Sequence, residues 1–292
     1  LGGEKKIGFE STGHYGHNLK MFLEANNFSF MEFNPLLISR FVHGKSLRRT
    51  KTDSLDAQSI AQYLMTVEYK PYPPSFYHMD KLKSLTRFRD SLVRQRSRQL
   101  VELTNILDKV FPEFKPFFEG RFSATALYIL ANYQSPERIG NMNAKSYEIL
   151  RKKSRGRFTM AKFVQLKSLA KNTVGRSDDF LLQQMEMLLD IHAQLDAKIS
   201  EVEGLIQECI MGIDPPILTI PGIGYLSAAV ILSEYGDFSK YENPSKMLSF
   251  AGLEPGYFQS GQSEHTGHMV KHGSSYLRYA LMNACLPLIT HD

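Results

Sequence analysis

The spacing of apolar residues between positions 180 and 209 restricts the fold more than any other stretch of this chain. Leu181, Met185, Leu188, His192, Leu195, Ile199, Val202, Ile206 and Cys209 follow one another at intervals of 4,3,4,3,4,3,4,3. An α-helix returns these positions to one face, and a strict seven-residue repeat is the pattern by which helices supercoil about each other. The spacing predicts one long helix, a coiled coil whose seam joins protomers or pairs with a second long helix of the same chain. His192 lies on the seam, where a polar side chain sets register. A helix packed inside its own domain is the plainer arrangement for the same residues.

A second long helix is available. Residues 79–110 align Leu82, Leu85, Phe88, Leu92, Leu100, Leu103, Ile106 and Val110 in one stripe, ended by Phe111-Pro112. Its other face carries Arg87, Arg89, Arg94, Arg96 and Arg98. Aromatic residues Phe114, Phe117, Phe118 and Phe122 then suggest short helices over 111–150. Residues 151–176 hold nine Lys or Arg and no Asp or Glu, Lys152, Lys153, Arg155 and Arg157 among them. The whole chain has 35 Lys and Arg against 30 Asp and Glu, a formal net charge of +5. Positive charge is therefore concentrated in segments, which suits the phosphates of a nucleic acid. Ordinary solvated surface is the competing use of the same side chains.

The first residues alternate strand and helix, the signature of an α/β unit. Ile7–Glu10 reads as a strand ending in a carboxylate. A helix over His14–Asn26 and a second strand, Phe28–Phe33, follow, closed by Asn34-Pro35. Asp53 and Asp56, three apart, open the helical pattern of Ile60, Ala61 and Leu64 and so share a face. Acidic residues in a first turn also complement the helix dipole and cap free N–H groups, so the pair alone is ordinary. Joined by Glu10 it has the form of a phosphodiesterase site, where carboxylates hold two Mg2+ ions about 4 Å apart. A basic loop with Arg48, Arg49 and Lys51 leads directly into the acidic pair and suits a phosphate backbone.

The last third starts at Asp214-Pro215-Pro216. Ile220-Pro221-Gly222-Ile223-Gly224, between apolar helical segments, is a helix-hairpin-helix signature. Gly222 and Gly224 allow a tight turn, and the next helix offers N–H groups to a phosphate oxygen. Asn243-Pro244 starts a helix and Gly252 ends it. A polar loop follows through Ser260-Gly261 to Gly273, with His265, His268, Lys271 and His272. A final helix runs from Ser274, with Arg278 available for phosphate. Ser-Gly in a loop is most often just a turn. Cys209 and Cys285 read as buried thiols, two being too few for a disulfide framework or a zinc site. The chain shows no apolar run of eighteen residues and no signal peptide, which predicts a cytoplasmic protein with no membrane contact.

Two sets of these residues carry a resemblance. One is Phe9-Glu10-Ser11-Thr12-Gly13, Asn34-Pro35 and Lys51-Thr52-Asp53-x-x-Asp56-Ala57. The other is Gly252-Leu253-x-Pro255, Ser260-Gly261, Lys271-x-Gly273 and Leu277-Arg278. Together they resemble the DEDD insertion-sequence transposases with a RuvC-like domain and a C-terminal serine domain, the "IS one-ten" family of RNA-guided recombinases. The resemblance implies a partial RuvC/RNase H-like domain at 1–78, a helical linker with a coiled coil at 79–210, and a helical transposase domain with the hairpin motif at 211–292. The fold class is thus α/β plus all-α. It further implies that Ser260 is the nucleophile, that Glu10, Asp53 and Asp56 bind Mg2+, and that a fourth acidic ligand precedes Leu1 in a longer chain. Donor and target DNA, a guide RNA and a homo-oligomer, dimer or tetramer, are the implied partners. Gln262, Ser263 and Glu264 stand where the family carries Lys or Arg. Two other functions fit the residues: a metal-dependent, structure-selective nuclease that activates water, and a DNA-binding module without catalysis.

Overall fold

The computed structural model describes residues 5–45, 52–71, 76–260 and 263–291. In chain order the elements are β1 (Ile7–Glu10), α1 (His17–Ala25), β2 (Phe30–Phe33), α2 (Pro35–Lys45), α3 (Asp53–Thr66) and α4 (Phe76–Val110). Five short helices follow: α5 (Phe114–Phe117), α6 (Ala124–Tyr133), α7 (Pro136–Gly140), α8 (Ala144–Lys153) and α9 (Met160–Lys171). The chain continues with α10 (Asp179–Ile213), α11 (Tyr225–Tyr235), α12 (Pro244–Ala251), β3 (Pro255–Ser260), β4 (Ser263–Met269) and α13 (Ser275–His291). Contacts divide it into two compact units, Leu1–Lys81 with Tyr235–Phe250, and Leu82–Glu234 with Ala251–Asp292.

In the first unit β1 and β2 pair in parallel, Ile7 opposite Phe30 and Glu10 opposite Phe33. Parallel neighbours need a crossover, which α1 supplies. Phe33, Ile38 and Leu64 form the small core, joined by Met31, Val42, Ile60 and Tyr63. Gly8 makes this packing possible. A Cβ there would lie 2.7 Å from the Phe33 ring and 3.1 Å from Leu64, so only glycine lets α3 approach β1 this closely. Residues 235–250 contribute an aromatic group of their own. Tyr235 has the rings of Phe238, Tyr241 and Phe250 within 5.8 Å, and its hydroxyl donates to the Met247 carbonyl at 3.1 Å.

The core of the second unit gathers Leu103, Leu107, Val110, Phe111 and Phe114 with Ile129 and Leu130 of α6, Ile139 of α7, Leu150 of α8, Leu166 of α9 and Met185 of α10. The long helix expected over 180–209 is α10. Its buried residues are Met185, Leu189, His192, Ile199, Val202, Ile206 and Ile210, while Leu181, Leu188, Leu195 and Cys209 are half-buried. The buried face therefore advances from Leu188 to Leu189 and from Cys209 to Ile210. An ordinary helix turns every 3.6 residues, not 3.5, and drifts by about 20° per heptad unless it supercoils. Arg89 to Glu203, at 2.6 Å, and Arg96 to Asp196, at 2.6 Å, tie α4 to α10 along their length.

The polar loop expected after Gly256 is instead a β-hairpin, a correction to the all-helical reading of this third of the chain. β3 and β4 pair antiparallel, with Tyr257 opposite Thr266, Phe258 opposite His265 and Ser260 opposite Ser263. Ser263, Glu264, His265, Thr266, Gly267 and His268 offer no apolar alternation, which hides the strand from the sequence. α12 begins and ends as expected. Asn243 caps it by accepting from the Lys246 N–H at 3.0 Å, and Gly252 follows it with φ 69°. Among the described residues no helix is long and apolar enough to cross a membrane.

Candidate functional site

In the first unit, Glu10 is the last residue of β1 and half-buried. Asp53 and Asp56 lie in the first turn of α3, the former exposed and the latter half-buried. Thr52 starts that helix. Its backbone is extended, and its side-chain oxygen accepts from the Leu55 N–H at 3.3 Å. This is the ordinary N-cap geometry, with both acids placed where the dipole favours them. Leu64, which touches the β1 side, lies eleven residues beyond Asp53, about 16 Å along the helix axis. Among the described residues no group of three or more His, Cys, Asp or Glu is close enough to hold a metal ion. Carboxylate oxygens are the donors Mg2+ requires, but these three are not drawn into such a set. Arg48, Arg49 and Lys51 lie outside the described residues.

The arginine face of α4 in the second unit is largely spent inside the protein. Arg87 donates through Nε and Nη2 to the two carboxylate oxygens of Glu234 at 2.9 and 3.1 Å, and Lys83 adds a contact at 3.4 Å. Arg89 and Arg96 pair with α10, and Arg94 pairs with Asp90 one turn back at 2.7 Å. Arg94 keeps 65% of its side chain exposed, and Arg98 is also exposed. Apart from Asp90, the acids that neutralise this face come from helices a hundred or more residues away, so the local sequence gives no sign of them. Glu234 was missed for the same reason. The signal for it is an acid ending the apolar run of α11, since a buried carboxylate needs a cationic partner.

The basic run fares differently. Arg151, Lys152 and Lys153 end α8, followed by Arg155 and Arg157, and all five are exposed. The helix closes with the Gly156 N–H donating to the Arg151 carbonyl at 2.8 Å, which puts Arg155 in the left-handed region at φ 53°. That conformation normally belongs to glycine or asparagine. A cleft of about 420 Å³ opens beside it, lined by Lys153, Arg155, Arg157, Lys162 and the first turn of α6. A helix N-terminus beside cations is a suitable environment for phosphate.

Gly222 has φ 82°, and a Cβ there would lie 3.0 Å from the Ala284 carbonyl and 3.3 Å from Pro287. Its bare backbone lets the 220–224 turn rest on α13. Gly224 has open space where a side chain would be. Arg278 is occupied. Its Nη1 donates to the carbonyls of Ala251 and Gly273 at 3.1 Å each, bracing the hairpin base against the end of α12. Lys271, just beyond β4, is exposed with φ 53°. Ser260 is the last residue of β3, at the hairpin tip, and the carboxylates belong to the other unit.

Comparison with known proteins adds the family. Residues 1–112 match the transposase model of the DEDD type named for IS110, and residues 214–292 match that of the transposase IS116/IS110/IS902 family. The chain is similar to the insertion element IS110 uncharacterized 43.6 kDa protein of Streptomyces coelicolor, 23% identical over 88% of this chain and 69% of that protein. It is also similar to the insertion element IS116 uncharacterized 44.8 kDa protein of Streptomyces clavuligerus, 26% identical over 78% of this chain and 59% of that one. A probable family 20 transposase of Pseudomonas aeruginosa is 22% identical over 87% of this chain and 63% of its own length. The chain thus spans between 59% and 69% of the length of these relatives. Matched through both its α/β beginning and its serine-hairpin region, and aligned over most of its length with insertion-element proteins, the chain belongs to the IS110 family of transposases.

Proposed function

We propose that this chain cuts and rejoins the DNA of an insertion sequence through a covalent serine–DNA intermediate. The observation that carries the proposal is the position of Ser260 at the tip of the β3–β4 hairpin, within the segment matched by the transposase model. In the covalent step the Ser260 Oγ–phosphorus bond forms as one phosphorus–oxygen bond of the backbone breaks. The hydroxyl proton passes to a base, and the departing oxygen takes a proton in turn. A serine hydroxyl is a poor nucleophile at neutral pH, so it needs help with that proton and with the phosphate charge. His268, Lys271 and His272 are exposed but sit toward the base of the hairpin, where Met269 pairs with Pro255, so this help has to reach Ser260 from beyond the hairpin.

Mg2+ is the ion that Glu10, Asp53 and Asp56 suit by chemistry. Among the described residues they do not form an ion-holding set as they stand. The basic α8–α9 segment suits donor or target DNA and a structured guide RNA alike, and a homo-oligomer would bring several hairpins to one junction.

The test is an adduct assay with full-length protein and its nucleic-acid partners. A denaturation-resistant protein–DNA adduct is expected. Ser260→Ala abolishes adduct and strand exchange while leaving DNA binding nearly intact, and Ser263→Ala, directly across the hairpin, keeps activity. An adduct that survives Ser260→Ala, or maps to another residue, transfers the assignment to a nuclease that activates water.

A further inference from the structure

We propose that the groove between α4, α11 and α13 takes an unstacked nucleobase from a bound nucleic-acid strand. This rests on the nucleic-acid reading above and names a contact of a different kind from the basic run. The groove encloses about 520 Å³, within the range of small-ligand sites, and lies entirely in the second unit. Its lining includes Arg94, Ser227, Ser275, Tyr276, Tyr279 and Asn283.

Those side chains supply what a base and its phosphate need. Tyr279 is 70% exposed, a large aromatic surface that packing inside the protein leaves uncovered. Aromatic faces are platforms for single-stranded bases because every base has a π-face. Tyr276 is already braced, with the guanidinium groups of Arg87 and Arg94 at 5.1 and 5.9 Å from its ring centroid. Arg94, ion-paired with Asp90 of the same lining, keeps most of its side chain in solvent, where its remaining N–H groups can meet the phosphate attached to a seated base. Asn283 offers a carboxamide, a donor and an acceptor together, and makes no hydrogen bond to another side chain among the described residues. Val93, Leu226 and Val230 add apolar lining against which a flat ring can pack. Base stacking and amide hydrogen bonding draw little on counterion release, so the Tyr279 and Asn283 contacts should contribute affinity that salt does not remove. The exposed basic run should contribute the part that salt does remove.

The experiment is fluorescence anisotropy of the full chain with labelled oligo(dT) and oligo(U) across a salt series, paired with photocrosslinking of 5-iodouracil-substituted strands and mass-spectrometric mapping. Tyr279→Ala should weaken binding about tenfold at every salt concentration and leave the slope of log affinity against log salt unchanged. Tyr279→Phe, which keeps the ring, should bind within about twofold of wild type. The crosslink should map to Tyr276 or Tyr279. A loss in the deoxy arm alone assigns the base to DNA, in the ribo arm alone to RNA, and in both to their shared chemistry. If wild type binds with a normal salt slope and Tyr279→Ala binds equally well, the groove inference fails and the nucleic-acid reading stands. If wild type binds neither strand, both fail. A Tyr279→Ala change in sedimentation with unchanged strand affinity marks a protein-docking face and overturns the proposal.

Discussion

Glu234 shows how much can rest on one side chain. Only 2% of it is exposed, and it holds Arg87 and Lys83 of α4 and the Ser274 hydroxyl at the start of α13. Burial pushes its carboxyl pKa up, but the Arg87 hydrogen bonds, the charges of Lys83 and Arg87 and the Ser274 hydroxyl together hold it below the ordinary glutamate value. A carboxylate whose folded pKa is depressed contributes stability that is present above the unfolded value and lost as pH falls through the folded one. Urea midpoints should therefore decline more steeply for wild type than for Glu234→Gln on going from about pH 6 to about pH 3. Arg87 keeps 46% of its side chain in water. Solvent therefore screens the pair, and Glu234→Gln should cost about 1–2 kcal/mol at neutral pH. Equal pH dependence in the two proteins would remove Glu234 from the account. None of this was legible locally, because Arg87 and Glu234 are 147 residues apart. The basic run 151–157 could be read from sequence because its neighbours in space are also its neighbours in the chain.

Among elements, helices were the legible ones. The extents of α4 and α10 follow from apolar periodicity, and β1 matches the strand expected at Ile7–Glu10. What periodicity could not give is the small rotation that selects Leu189 over Leu188. The difference is measurable by chemical denaturation. Leu189→Ala should cost about 2–4 kcal/mol and Leu188→Ala about half of that, because the half-buried side chain leaves a smaller cavity. Equal losses, or the reverse order, would restore the strict seven-residue seam. His192 lies on both versions of the seam. It is buried, with Nδ1 3.4 Å from Asp196, which also accepts from Arg96 of α4 at 2.6 Å. That chain of contacts links the polar seam residue, through Asp196, to α4. The hairpin was illegible for the opposite reason, since strands without apolar alternation resemble a loop.

At the scale of the whole molecule, charge is divided by task. Arg87, Arg89 and Arg96 of α4 hold helices together, while Arg98 and the cations from Arg151 to Arg157 face solvent. Replacing Lys152, Lys153, Arg155 and Arg157 with Ser or Gln should leave the thermal midpoint nearly unchanged. It should weaken binding to any nucleic-acid sequence and flatten the salt slope by roughly one unit per lost phosphate contact. An unaltered slope makes the run plain solvated surface. The aromatic segment 235–250, grouped with residues that precede α4 by the contacts it makes, has a temporal consequence. It emerges from the ribosome about 170 residues after Lys81, a delay of roughly ten to thirty seconds at ordinary translation rates. The buried cluster of the second unit that runs from Leu103 to Leu189 is fully synthesised well before then. The part of the protein made first is thus completed late, and a nascent chain stalled near residue 200 should expose a first unit that still lacks its aromatic segment.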